Sequence, residues 1–315
     1  MANNSKLLRG VVPPVCTPFT ADYEVDEKSL RRLINHLIDG GVHGLFVLGS
    51  TSEVAYLTDK RRADVIRIAI DETAGRVPVV AGAIDMTTLR VNEHVRAAVA
   101  AGIDGIVITA PFYVRTHPEE IALHFRLVKE ACGDVPLYAY DIPVAANGVK
   151  LETATVLKLA KEGVIQGLKD SSGNDAGIRA VVLGAQKLGL TEFVVLTGSE
   201  LTVDSALMAG AHGVVPGIGN IDPAGYVKIF DLVAAGDYKS AKAEQERLTE
   251  MFGLVDVGST ARMGRGSSAL GAFKASLKLL GIVEDARMAP PQIPLNSDEI
   301  AAIVPFLKNA GLSVK

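Results

Sequence analysis

The stretch Val164-Ile165-Gln166-Gly167-Leu168-Lys169-Asp170-Ser171-Ser172-Gly173 runs largely apolar for its first half and then turns polar. An apolar run this short, with no polar residue on every second position, reads as a strand buried on both faces, and its polar end reads as the loop leaving it. Similar Val/Ile/Leu runs occur at Gly10 to Cys16, Gly44 to Leu48, Pro78 to Ala81, Gly105 to Thr109, Pro136 to Tyr140, Phe193 to Thr197 and Gly213 to Val215. With Val164 to Leu168 they make eight.

The segments between them have the other period. Leu30, Leu33, Ile34, Leu37 and Ile38 form one apolar helical face, and Gly40 and Gly41 supply its stop signal. Val65, Ile66 and Ala69 make another, as do Val91, Val95, Ala98 and Val99, the latter ending at Gly102. Strand and helix alternating eight times predict an α/β chain whose parallel sheet closes into a TIM (β/α)8 barrel. After the segment Asp222 to Val233 the strands cease, and helical stretches follow at roughly 237–253, 267–281 and 297–310. The expected division is a barrel over 1–235 and a C-terminal helical segment over 236–315 packed on it. The rival architecture, an open doubly wound sheet for nucleotides, needs GxGxxG after an early strand. The nearest match, Gly264-Arg265-Gly266-Ser267-Ser268-Ala269, lies in the helical tail.

Composition narrows the function. The 315 residues are 48% hydrophobic and 22% charged, enough for a large core, and the net charge of -4 comes with no basic stripe to meet nucleic acid or an anionic membrane. No apolar stretch reaches the roughly 18 residues of a membrane span, and MANNSKLLRG lacks a signal peptide's apolar core, so a cytoplasmic protein is expected. Cys16 and Cys132 lack CxxC spacing and read as small buried residues. The six histidines show no HExxH or short paired spacing, so no metal is expected.

In a TIM barrel the active site lies at the C-terminal ends of the strands. Those ends carry Gly49-Ser50-Thr51-Ser52-Glu53, Pro111-Phe112-Tyr113, Tyr140-Asp141-Ile142-Pro143, Lys169-Asp170, Gly198-Ser199-Glu200 and Pro216-Gly217-Ile218-Gly219-Asn220. Lys169 alternates with Ile165 and Gly167, which aims its side chain into the barrel mouth. Partial desolvation there penalises the ammonium and favours the neutral amine that attacks a carbonyl. A strand-end lysine can also snorkel to solvent or pair with Asp170. Ser50, Thr51 and Ser52 gather hydroxyls and N–H groups suited to a carboxylate, or simply to capping the next helix. Tyr113 and Tyr140 are two of seven tyrosines, both at strand ends, where a phenol can pass protons or merely pack.

Taken together, the opening Pro-Val-Cys-Thr-Pro-Phe-Thr, then Gly-Ser-Thr-Ser-Glu, Pro-Phe-Tyr, Tyr-Asp-Ile-Pro and Gly-Leu-Lys-Asp-Ser-Ser-Gly resemble, in order and spacing from Gly10 to about Leu280, the dihydrodipicolinate synthase and N-acetylneuraminate lyase family. The resemblance implies a class I pyruvate-dependent aldolase, a homotetramer built from tight dimers, and no metal or organic cofactor. It implies that Lys169 is the Schiff-base lysine, that Tyr140 shuttles protons beside it, and that Ser50 and Thr51 bind the keto-acid carboxylate while joining the proton relay. Tyr113 would complete that relay from across the dimer interface. Ser52 and the loop residues Gly198, Ser199, Gly217 and Ile218 are expected to line the substrate.

The chain also departs from the family pattern. Asp141 stands where the family has Asn, and Ser50 and Ser52 replace a Thr and a Gly. Dihydrodipicolinate synthases carry an arginine two positions after the Pro of the Tyr-Asn-x-Pro motif, where this chain has Ala145, and Val144-Ala145-Ala146-Asn147 offers no fork of donors for a carboxylate. The opening Gly-Val-Val-Pro-Pro-Val is closer to the family's 2-keto-3-deoxy sugar-acid aldolases. The expected substrate is therefore a hydroxylated 2-keto acid, cleaved to or built from pyruvate, with a dehydratase on the same Schiff base as a variant. The alternatives are 4-hydroxy-tetrahydrodipicolinate (dihydrodipicolinate) synthase itself, a phosphate-binding barrel using the loops after strands seven and eight, and a non-catalytic keto-acid sensor.

Overall fold

The computed structural model describes residues 7–315. Its eight parallel strands are β1 (Gly10–Val11), β2 (Leu45–Val47), β3 (Val79–Gly82), β4 (Gly105–Thr109), β5 (Leu137–Asp141), β6 (Gly167–Asp170), β7 (Val194–Thr197) and β8 (Gly213–Val214). They pair in the order β1-β8-β7-β6-β5-β4-β3-β2. The seam between β1 and β2 closes through a parallel bridge of Pro14 with Phe46, where Phe46 N–H donates to Pro13 O at 3.0 Å and Val15 N–H donates to Phe46 O at 2.9 Å. The sheet is thus a barrel and not an open doubly wound sheet.

The helices follow the strands: α1 (Glu27–Asp39), α2 (Asp59–Thr73), α3 (Thr88–Ala100), α4 (Pro118–Cys132), α5 (Thr153–Lys161), α6 (Asp175–Lys187), α7 (Val203–Met208) and α8 (Pro223–Ala234), with α9 (Tyr238–Phe252), α10 (Arg265–Leu279) and α11 (Ser297–Asn309) beyond the last unit. Local chemistry sets their ends. Asp26 accepts from Ser29 N–H to start α1, and its stop falls at Gly40 and Gly41, the latter at φ 83°. His117 and Glu120 form a capping box on α4, as Asn296 and Glu299 do on α11.

Because strand side chains alternate, the sheet separates two apolar layers. Leu30, Leu33, Leu45, Val47, Ile106, Ile108, Phe125, Leu168 and Val195 belong to the layer between sheet and helices. Leu8, Val12, Phe46, Val80, Val107, Tyr138, Tyr140, Val194, Leu196 and Val215 fill the barrel interior. Gly167 belongs to that interior by necessity: a Cβ there would lie 2.5 Å from Val194 Cγ2 and 2.8 Å from Tyr138 Cδ1.

The sixth strand begins later than the apolar run Val164 to Leu168 suggests and extends through Lys169 to Asp170. At Gln166 the pairing is mixed: its backbone N–H donates to Leu137 O at 2.8 Å and its backbone O accepts from Val194 N–H at 3.1 Å, while its side-chain Oε1 accepts from Leu137 N–H at 2.8 Å. The tail helices fall close to the stretches read from the sequence, and the Gly264-Arg265-Gly266 segment starts α10 with no strand before it. Among the described residues no helix is long and apolar enough to cross a membrane.

Candidate active site

Lys169 and Tyr140 are paired across β6 and β5. Both face inward over the apolar plug, Lys169 at 6% exposure and Tyr140 at 3%. The Lys169 ammonium nitrogen lies 4.0 Å from the Tyr140 ring centroid and 4.9 Å from that of Phe46, and the Phe46 and Tyr140 rings meet edge to face at 6.3 Å. Burial pushes the Tyr140 phenol up. The Lys169 charge and hydrogen bonds with Ser171, Ser50 and Lys169 outweigh it, leaving the phenol below its ordinary value. An amine and a phenol of lowered pKa in hydrogen-bond reach form a pair between which a proton can move.

The loop after β2 brings Ser50 to that phenol. It is a tight turn in which Ser52 N–H donates to Gly49 O at 3.1 Å and Glu53 N–H to Ser50 O at 3.0 Å, with Leu48 and Glu53 both at positive φ. Ser50 is exposed and Thr51 half-buried, while Ser52 is fully buried. The Ser52 hydroxyl donates to Val15 O at 2.5 Å and accepts from Gly49 N–H at 3.2 Å. It is therefore committed to shaping the loop. Glu53, equally buried, pairs with Lys274 of α10 and accepts from Ala289 N–H at 2.7 Å. Lys274 also donates to Arg287 O at 2.8 Å and lies 4.1 Å from the Phe19 ring centroid.

Gly198, Ser199, Gly217 and Ile218 converge on the same end of the barrel with a different emphasis. A Cβ at Gly198 would fall 1.9 Å from Ser171 Oγ, so glycine permits the close approach of the loops after β6 and β7. Ser199 donates its N–H to Thr197 Oγ1 at 3.0 Å and accepts from Thr202 at 2.9 Å, holding its own loop. Ile218 N–H donates to Glu200 Oε1 at 2.6 Å, and a Cβ on Gly217 would touch Glu200 Oε2 at 3.0 Å. Tyr226 OH donates to the same Glu200 oxygen at 3.3 Å.

Glu200 and Ser171 are the site groups that the sequence reading quoted in their motifs but did not assign. Burial pushes the Glu200 carboxyl up to about 7, against the Ile218, Gly217 and Tyr226 donors and the Lys169 charge. A carboxyl held near neutrality beside Lys169 was signalled only by its place one residue beyond Gly198-Ser199 at a strand end.

Tyr113 stands apart from this cluster. It is 81% exposed at φ 75°, a conformation a bulky residue rarely adopts. Val144 is 90% exposed and Ala145 is exposed, on the loop following β5. Among the described residues no group of three or more His, Cys, Asp or Glu side chains is placed to hold a metal ion.

The model of the dihydrodipicolinate synthetase family matches residues 7–310. The chain is 33% identical over 252 residues to 4-hydroxy-tetrahydrodipicolinate synthase from Methanothermobacter thermautotrophicus, covering 80% of this chain and 88% of that one. Among solved structures it is similar to YagE, a prophage protein of the dihydrodipicolinic acid synthase family from E. coli in complex with pyruvate, with TM-score 0.90 and 29% identity over 98% of this chain and 100% of that one. It is likewise similar to dihydrodipicolinate synthase from Bacteroides thetaiotaomicron, with TM-score 0.89 and 30% identity over 97% and 99% of the two chains. A family match that spans the barrel and the three C-terminal helices, over a chain whose motifs keep the family's order, leaves one conclusion: the chain belongs to the dihydrodipicolinate synthetase family, whose members are aldolase and synthase lyases.

Proposed function

We propose that the chain is a pyruvate-dependent class I aldolase in which Lys169 forms the Schiff base. The observation that carries this reading is the meeting of the Lys169 amine with a Tyr140 phenol whose pKa is lowered by that amine and by Ser50 and Ser171. The Lys169 nitrogen adds to the keto carbon, and loss of water leaves an iminium, with Tyr140 moving the proton between nitrogen and oxygen. The iminium withdraws electrons from the adjacent methyl carbon. Removal of a proton there gives an enamine, which attacks an aldehyde; the reverse path breaks the same carbon–carbon bond. Ser50 and Thr51 hold the keto-acid carboxylate, and Tyr113, exposed on this chain, joins the relay from a neighbouring subunit of a homotetramer. Buried free thiols at Cys16 and Cys132 suit the reducing cytoplasm.

For the acceptor, the exposed Val144-Ala145 segment supports an uncharged hydroxyaldehyde, and hence a 2-keto-3-deoxy acid as the cleavage substrate. The synthase named for the relatives supports the second reading, in which aspartate semialdehyde is the acceptor. A carboxylate left without a bidentate partner loses a few kcal/mol, about tenfold in rate for each 1.4 kcal/mol. Condensation kinetics with pyruvate and each aldehyde separate the two. The sugar-acid reading expects aspartate semialdehyde to be poorer by roughly 10²-fold, with Ala145→Arg narrowing the gap. Efficient wild-type condensation with aspartate semialdehyde makes the chain a synthase with another carboxylate anchor. The Schiff base itself is tested by pyruvate and borohydride: one reduced pyruvyl group on Lys169 is expected, and labelling of another lysine or of none overturns the reading.

A further inference from the structure

We propose that Lys150 is a positioning residue, an ionic clamp that fixes the strand ends carrying Tyr140 and Lys169; this rests on the Schiff-base reading above. The residue following each of those two side chains is an aspartate, and Asp141 and Asp170 are themselves paired across β5 and β6. Strand alternation sends them to the opposite face of the sheet from Tyr140 and Lys169. There they are 1% and 2% exposed, so two carboxylates lie buried side by side immediately behind the reacting pair. Like charges in that position repel strongly unless a cation is shared between them.

Lys150 is that cation. Its ammonium donates to Asp141 Oδ2 and lies 3.6 Å from Asp170 Oδ2, an oxygen that accepts no hydrogen bond. Among the described residues it is the cation within ion-pair distance of either carboxylate. The remaining oxygens are held by the backbone: Leu151 N–H donates to Asp141 Oδ1 at 3.2 Å and Ser172 N–H to Asp170 Oδ1 at 2.8 Å. The strand ends are laced in the same place, since Ser171 N–H donates to Asp141 O at 2.8 Å and Gly198 N–H to Asp170 O at 2.7 Å.

Lys150 and Leu151 close the loop that leaves β5 through Ile142 and Pro143 and carries the exposed Val144 and Ala145. The clamp therefore ties three things at one point: the end of β5 with Tyr140, the end of β6 with Lys169, and the returning arm of the loop that carries Val144 and Ala145. Asp141, which departs from the family's asparagine, is matched by a lysine on the returning arm.

Because Lys150 touches neither Lys169 nor the Ser50–Thr51 loop, its loss should slow the chemistry without weakening pyruvate capture. The test measures the initial rate of pyruvate trapping by borohydride against pyruvate concentration for wild type, Lys150→Met, Lys150→Arg and the double variant Asp141→Asn/Lys150→Met, all as the full chain. Lys150→Met is expected to lose about tenfold or more in maximal trapping rate with half-saturating pyruvate changed less than about threefold. Lys150→Arg should keep most of the rate, since a guanidinium can bridge both carboxylates, and the double variant should recover part of the loss, since the repulsion between the two carboxylates is gone while Asp170 still lacks a cation.

A Lys150→Met enzyme trapping at the wild-type rate, one impaired in half-saturation alone, or a double variant no faster than Lys150→Met overturns the clamp. If Lys150→Met cannot be purified folded, a soluble and active double variant supports the clamp and an insoluble one overturns it. If wild type itself is not labelled, it is the Schiff-base reading that fails. The clamp is then decided by melting temperature, where a deficit in Lys150→Met that the double variant recovers supports it and equal melting overturns it.

Discussion

Tyr140 is a phenol under two opposed influences, burial that disfavours its anion and a neighbouring Lys169 charge that favours it, and the second prevails. Its hydroxyl is the only part of the side chain that can carry a proton. Tyr140→Phe keeps the ring between Phe46 and Lys169 and removes that function, so turnover should fall by roughly 10²-fold or more, while Lys169 remains available to pyruvate. Steady-state kinetics beside borohydride labelling check both halves; turnover near wild type makes Tyr140 a packing residue. Ser50 and Ser52 make a second contrast within one loop. Ser50→Ala should raise KM for pyruvate. Ser52→Ala instead strips the partner from the buried Val15 carbonyl and should lower stability by about 1–3 kcal/mol, read by denaturant titration. The sequence made Lys169 and Tyr140 legible because chemistry-bearing side chains at the ends of buried strands stand out. It could not divide Ser50 from Ser52, because which of two neighbouring hydroxyls turns inward depends on the Val15 carbonyl in a segment distant along the chain.

At the level of elements, helix α10 reaches beneath the site through Lys274, which is buried and paired with Glu53 from the loop after β2. Burial pushes the Lys274 ammonium down, and the Glu53 carboxylate opposes that shift. Removing one member of such a pair leaves an uncompensated charge. Lys274→Met should therefore cost about 3–5 kcal/mol, whereas Glu53→Gln/Lys274→Met should cost markedly less, since neither charge then remains. Chemical denaturation of the two variants decides it: equal losses would mean that Lys274 acts through packing on Phe19 alone. The helices of the tail were legible from their period, and so was their position after the last strand. That one of them delivers a cation to the loop carrying Ser50 was not, because a lysine within an apolar helix face carries no mark of its partner. The same limit applied to β6, where the Gln166 side chain joins its backbone in bonding Leu137 and the strand runs on to Lys169 and Asp170.

Across the whole molecule, a buried group and a half-buried one should give opposite pH dependences to stability, and their opposition can be separated. His124 on α4 is 2% exposed with Thr88 Oγ1 at 2.9 Å from its Nδ1, and burial pushes its imidazole down to about 4. A depressed pKa means that its contribution is complete above the unfolded value of about 6.5 and is lost as pH falls toward 4, about 3 kcal/mol in all. Glu200 runs the other way. Its carboxyl, pushed up to about 7 by burial, contributes stability that is complete below about 4.5 and is lost as pH rises through 7, roughly 2–3 kcal/mol with allowance for its partial exposure. Over the shared interval the two slopes offset each other. Glu200→Gln removes one of them while keeping an acceptor for Ile218 N–H and Tyr226 OH, because the amide oxygen replaces the carboxyl oxygen. Relative to wild type, the variant should melt at a similar temperature near pH 4.5 and become progressively more stable as pH rises to 7.5, since wild type alone acquires a buried charge in that range. Subtracting the two melting curves cancels His124 and the surface carboxylates, which both proteins share. A difference that stays constant from pH 4.5 to 7.5 would show that Glu200 ionises like an ordinary surface carboxylate, and would remove it from the titrating groups beside Lys169.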